Sequence, residues 1–169
     1  MRAKIFNLSV FLAVAAMIFY FYPQGEVIAL SSRDKIKVVD GDSLESGKRR
    51  IRLLGIDAPE YKQYCFDESH KRYWCGISAK QFLERLIKQK DVNCVENSLD
   101  RYKRSLSTCY IGDMNINEKM VKSGWAVAYR DETNNYKRAE EYAKKHRLGI
   151  WKGKFIRPEL YRFMQRKEK

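Results

Sequence analysis

The spacing of apolar residues changes along the chain, and each change marks an element. "DKIKVVD" alternates apolar and polar residues as a half-buried strand does, and "DGDS" follows as a tight turn. "DSLESG" and "KRRIRLLGID" continue the pattern, so residues 34–57 predict a three-stranded meander that Pro59 ends. Residues 60–73 show no period and predict a long loop, a length uncommon without a function. "WCGISAKQFLERLIKQK" then sets Ile77, Phe82, Leu83, Leu86 and Ile87 along one side of an amphipathic helix. "DVNCVENS" and "SLSTCYIG" read as two strands joined by a turn near residues 99–104. "NINEKMVKSG" predicts a short helix closed by Gly124, and "WAVAY" a brief extended segment. "NNYKRAEEYAKKHRLG" predicts a polar helix ended by Gly149. There is no internal repeat and no low-complexity tract.

A meander followed by a helix and a hairpin predicts an α+β chain: a five-stranded OB-fold β-barrel with about three helices. One hydrophobic helix precedes it. "MRAK" is a short basic start, and Ile5 to Tyr22 is apolar apart from Asn7 and Ser9. Residues 1–22 therefore predict a signal peptide or a signal-anchor transmembrane helix. The absence of a small-x-small site directly after the run leans towards the anchor. Either way the domain is exported: membrane-anchored outside the cytoplasm, or secreted or periplasmic if the leader is cleaved. Residues 23–33 predict a polar linker, 34–152 the folded domain, and 153–169 a basic C-terminal tail.

Charge narrows the partners. The chain carries 34 Lys and Arg against 21 Asp and Glu, a net +13. Such an excess favours polyanions, either nucleic acid or an anionic membrane surface. Of the four cysteines none forms a CxxC, and His70 and His146 are the sole histidines, which argues against zinc. A hairpin centred between Arg101 and Tyr102 sets Cys94 opposite Cys109, within disulfide reach. Cys65 and Cys75 would then pair across the long loop. Two bridges and a leader agree with an oxidising compartment.

Four acids lie near strand ends: Asp40 and Asp42 in "VVDGDS", Asp57 and Glu60 in "GIDAPE". Taken alone, "DGD" is turn chemistry. Arg52, inside the third strand, changes that. Five residues separate it from Asp57, so a straight strand would place the two on opposite faces. A kink near Gly55 would bring them together. Arg104 opens the fifth strand. Two guanidiniums, a hard cation on carboxylates and one free carboxylate suit phosphodiester hydrolysis, because they neutralise the added charge while the carboxylate accepts the proton of water. Trp74, Trp125 and Trp151 are expected in the core, and both histidines at the surface.

"VVDGDSL", "IRLLGIDAPE", "DRYKR" and "GWAVAY" together resemble the successive motifs of the thermonuclease, or staphylococcal-nuclease-like, family over about residues 34–152. The resemblance implies an OB-fold endonuclease that hydrolyses DNA and RNA with Ca²⁺, acting as a monomer. It implies that Asp42, Asp57 and the backbone carbonyl of Ala58 hold the metal, with Asp40 behind them. It makes Arg52, Glu60 and Arg104 catalytic, with Glu60 the general base, and sets Tyr102 and Tyr129 at the nucleotide pocket. Three features depart from the family pattern: Ala58 stands for a common threonine, Lys103 for a glycine in the turn before Arg104, and residues 61–73 differ, holding the cysteine pair seen in exported relatives. The competing expectation is a non-catalytic nucleic-acid-binding OB module, which would have no need of Glu60. A basic membrane-surface protein would explain the leader and tail but not the carboxylates.

Overall fold

A computed structural model describes residues 26–31, 35–130 and 135–167. The expected meander is present as β2 (Ile36–Asp40), β3 (Ser43–Ser46) and β4 (Arg49–Leu53), each antiparallel to the next, with a register shift between Val38 and Asp40. The expected hairpin is β8 (Val92–Leu99) and β9 (Ser105–Ile111), and β9 runs parallel to β4 with Ile51 opposite Ser105. Between them lies helix α1 (Cys75–Ile87), which buries Cys75, Ala79, Leu83 and Ile87, one residue per turn, and packs on β2.

The barrel itself needs correction. Within the expected linker, β1 (Val27–Leu30) is a strand, because Ile28 and Leu30 alternate inward against β8. Sheet order is therefore β1-β8-β9-β4-β3-β2, with β10 (Met114–Asn115) also on β9. The outer edge of β8 is taken by β1 and not by β2, so the mixed sheet is a curled half-barrel rather than a closed five-stranded barrel. Among the described residues four helices accompany it where about three were expected. They are α1, α2 (Ile116–Lys122), α3 (Lys137–Lys145) and α4 (Pro158–Lys167). Helix α4 lies in the expected tail, where Pro158 suits the first helical turn. The hydrophobic segment 1–22 lies outside the described residues, among which no helix is long and apolar enough to cross a membrane.

Smaller differences have local causes. The loop after Pro59 contains a two-stranded ribbon, β6 (Cys65–Phe66) with β7 (Arg72–Tyr73). Helix α3 stops before Gly149 because Arg147 itself takes the left-handed conformation, φ 51°, and Gly149 opens a 3₁₀ turn through Lys152. Trp125 packs on the main core and Trp151 on a satellite cluster, but Trp74 is exposed at the start of α1. His70 and His146 are exposed, as expected.

Leu44, Ile51, Leu53, Leu83, Ile116 and Met120 fill the space between sheet and helices and are at most 1% exposed. Each such side chain contributes about 1.5–3 kcal/mol relative to remaining in water. Both predicted disulfides are present. Cys94 and Cys109 face each other across the hairpin, and Cys65 with Cys75 ties the ribbon to the start of α1. At Gly76 the first turn of α1 presses on the loop backbone, where an added Cβ would collide with the carbonyl of Glu60.

Two stability changes are expected. Replacing both Cys94 and Cys109 by Ala should cost about 3 kcal/mol, since the bridge closes a loop with a sequence separation of 15. Denaturant midpoints of the oxidised proteins would check it, and an unchanged midpoint would contradict it. Gly76→Ala should cost about 1–3 kcal/mol by overpacking, read as a lower midpoint at constant slope.

Candidate active site

The turn between β4 and β5 (Ile56–Asp57) builds the centre of the site. Gly55 sits there at φ +76°, in a conformation that side chains rarely adopt, and reverses the chain within two residues. The reversal is the expected kink. It carries Asp57 back beside Arg52, whose Nη2 donates to Asp57 Oδ1 at 2.8 Å. The Arg52 Nη1 donates to Asp42 Oδ1 at 2.6 Å, so one guanidinium joins the β2–β3 turn to the end of β5. The strand β11 (Val127–Ala128) pairs with β5, Val127 opposite Asp57, and holds that end in place.

Both carboxylates are buried: Asp42 is 2% exposed and Asp57 fully covered. Asp42 also accepts from the Ser43 hydroxyl at 2.9 Å and from the Ala58 amide at 2.9 Å. Asp40 supports it from behind by accepting the Asp42 amide at 3.1 Å. Burial pushes the Asp42 carboxyl up to about 6; Arg52 and the Ala58 amide oppose the rise, and the charge of Asp40 adds to it. Burial works against the charge on Arg52, but Asp42 and Asp57 outweigh it and raise its pKa above the ordinary arginine value.

Glu60 lies one turn of chain further on and is partly exposed. Its backbone is clamped by Gln63, which accepts the Glu60 amide through its side chain at 3.2 Å and donates its own amide to the Glu60 carbonyl at 2.7 Å. Gln63 is fully buried, and its side-chain amide donates to the Ile156 carbonyl at 2.6 Å, just before α4. From α4 comes a residue absent from the sequence expectations. Arg162 donates to both oxygens of Asp57, at 2.9 Å each, and to Glu60 at 2.8 Å. Burial disfavours its charge, but the bonds from Asp57 and Glu60 win and raise its pKa far above normal. The visible sequence signal was Pro158-Glu159 opening an amphipathic run, a helix start read instead as tail.

Arg104 stands apart from this cluster. It precedes β9 beside β4, and its Nε and Nη2 each donate to Asp100 Oδ2 at 2.8 Å. Asp100 also accepts the Tyr102 and Arg104 amides, and these bonds lower its pKa despite some desolvation. Lys103 takes φ 59°, the conformation that a glycine would supply, so the turn keeps its shape despite the substitution. Tyr102 is exposed, with the Arg101 and Arg104 guanidiniums 4.8 and 5.7 Å from its ring centre and its carbonyl accepting from Arg50 at 2.6 Å. Tyr129 follows β11, donates its amide to the Gly55 carbonyl at 2.9 Å, and turns its hydroxyl to Glu159 on α4 at 3.3 Å.

The donor chemistry fits a hard divalent cation. Asp40, Asp42, Asp57 and Glu60 are four acids facing Arg52 and Arg162, an excess of two negative charges. Among the described residues no three Asp, Glu, His or Cys side chains form a metal-holding group by themselves. A cation between Asp42 and Asp57 would complete its shell with a backbone carbonyl and waters, as calcium does.

Comparison with known proteins identifies the family. The sequence model described as "Staphylococcal nuclease homologue" matches residues 50–153, more than half of the chain. An "Uncharacterized endonuclease" of Haemophilus influenzae is 35% identical over 137 residues, covering 74% of this chain and 71% of that protein. A "Micrococcal nuclease" of Shigella flexneri is 32% identical over 134 residues, covering 69% of this chain and 71% of its own length. The "Succinoglycan biosynthesis protein ExoI" of Rhizobium meliloti is 35% identical over 119 residues, 68% of this chain. The matched region spans 62% of that protein, less than two thirds. The match from within β4 to just past the 3₁₀ turn covers the strands and loops that carry Arg52, Asp57, Glu60 and Arg104, and the chain belongs to the staphylococcal nuclease family.

Proposed function

We propose that this chain is an exported, calcium-dependent endonuclease that hydrolyses phosphodiester bonds of DNA and RNA with low sequence specificity. The observation that carries the reading is the chain of contacts from Asp42 through Arg52 to Asp57, with Glu60 at its open end. Relatives named endonuclease and micrococcal nuclease support the reaction class. Asp42, Asp57 and the Ala58 carbonyl would hold Ca²⁺. Bound there, the ion supplies positive charge against the negative charge that develops on the phosphate.

The remaining steps belong to the protein's own side chains. Arg52 is held rigidly by two carboxylates and keeps further N–H donors for a phosphate oxygen. Glu60 accepts a proton from the attacking water, its backbone fixed by Gln63. Arg104, oriented by Asp100, meets the phosphate from the β9 side. Exposed Tyr102, with the cations beside it, offers a surface on which a base stacks without sequence preference, and Tyr129 borders the site from β11. The net charge of +13 draws the polyanion to this face. Both disulfides support an exported, oxidised setting. Membrane attachment would come from residues 1–22, and the domain acts as a monomer. A second reading, a non-catalytic binding module, draws on Tyr102 and its flanking arginines alone.

Glu60→Gln separates the two. It keeps size and removes the base, so turnover of plasmid DNA should fall by about 10²–10⁴ while binding is retained. Equal turnover at saturating Ca²⁺ would overturn the assignment. Arg104→Ala should lower turnover by about 10²–10³, as when a single transition-state donor is removed, without changing calorimetric Ca²⁺ affinity. A parallel loss of Ca²⁺ binding would show that Arg104 shapes the metal site instead.

A further inference from the structure

Helix α4 closes over the site through one side chain. Arg162 covers both oxygens of Asp57 and reaches Glu60, the residues assigned above to the metal and to water. A guanidinium on Glu60 occupies the carboxylate oxygen at which the attacking water would be received. The same guanidinium already neutralises the negative charge that Asp57 would otherwise offer to a divalent ion. Arg162 in this position therefore opposes both functions at once.

The way α4 is attached allows it to leave. Pro158 is the one buried residue among those of α4, while Leu160, Phe163 and Met164 are exposed. Burial of apolar surface thus contributes little to its docking. The polar bonds that attach the helix and its lead-in include Tyr161 hydroxyl to the Lys62 carbonyl at 3.2 Å, the Tyr129 hydroxyl to Glu159 at 3.3 Å, and Arg157 to the Ala128 carbonyl at 3.2 Å and to Glu140 at 3.4 Å. Partly exposed bonds of this kind each contribute little, because water replaces them when the helix lifts. A helix so held belongs among the elements that open locally while the core stays folded. Gln63, which links the Glu60 backbone to the Ile156 carbonyl, anchors the segment just before that helix.

We propose that α4 is an intramolecular competitor of the divalent metal: Arg162 occupies Asp57 and Glu60 in the closed form, and metal binding releases the arm. The proposal rests on the metal reading given above. Arg162 fills both oxygens of Asp57 and one of Glu60, so closed arm and bound metal compete for the same oxygens. The apparent metal affinity is then reduced by the fraction of molecules whose arm is open.

Calorimetric titration of the folded protein with Ca²⁺ alone, without nucleic acid, tests this. The proteins are the parent, Arg162→Gln and Asp57→Asn. Arg162→Gln should bind Ca²⁺ about tenfold more tightly, corresponding to an arm closed about nine-tenths of the time. Hydrogen exchange gives a second readout that needs no variant: amides of 158–167 in the parent should exchange faster on adding Ca²⁺, with core strands unchanged. In Arg162→Gln those amides should exchange fast with or without the ion. Equal Ca²⁺ affinity in parent and Arg162→Gln, with loss in Asp57→Asn, would overturn the competition and leave the metal site standing. Undiminished binding by Asp57→Asn would overturn the metal site itself, and the competition with it. Protection of α4 that is indifferent to Ca²⁺ would also overturn the proposal.

Discussion

Arg52 is the constraint on which the site depends. Its guanidinium lies between two carboxylates that have almost no contact with water, Asp42 from the β2–β3 turn and Asp57 from the end of β5. Removing the arginine would leave Asp42 buried without its ion-pair partner, a loss of about 3–5 kcal/mol. The same arrangement contributes less to net stability than its short bonds suggest, because all three groups have been taken out of water. Its retention makes sense as positioning. Through one planar fork, two loops that are distant in sequence acquire a fixed separation, which a pair of apolar side chains could not impose.

That fork explains why the neighbouring backbone is so restricted. Gly55 must reverse the chain sharply for Asp57 to return to the face of Arg52. Gly76 must lack a side chain for α1 to approach the carbonyl of Glu60. The Cys65–Cys75 bridge pins the loop beyond Glu60 to the first residue of the same helix. Asp57 and Glu60 thus stand at the two ends of a short segment held by strand pairing on one side and by helix contact on the other. Such support is what a general base needs, since an error of about 1 Å in placement can cost a factor of about 10².

Much of this was legible in the chain, for identifiable reasons. The meander, the first helix and the hairpin carry strong local periodicity, and the hairpin placed Cys94 opposite Cys109 as drawn. The kink at Gly55 was readable because a glycine in an otherwise apolar strand has few other purposes. The half-barrel was not readable, since β1 is only four residues long, all of them apolar, and shows no period that would mark a strand. Arg162 was hidden by its setting. In a segment with seven cations from Lys152 onward, nothing local distinguishes the one that turns inward. Gln63 was hidden likewise, for its burial follows from the paths of the loop around Glu60 and of the segment leading into α4.

The basic surplus of the chain consequently has two roles that pull against each other. Cations on the face around Tyr102 attract a polyanion and are best left exposed. An acidic site in the same molecule attracts cations too, and Arg162 is paired there with Asp57 and Glu60. Arg52 and Arg162 differ in how they are held. Arg52 is fixed in β4 between Asp42 and Asp57, whereas Arg162, which shares Asp57 with it, sits on a helix with one buried residue. Equal chemistry on a rigid strand becomes structure, and on a loosely docked helix becomes exchange. The distinction lies in the packing beneath each arginine rather than in the ion pairs themselves.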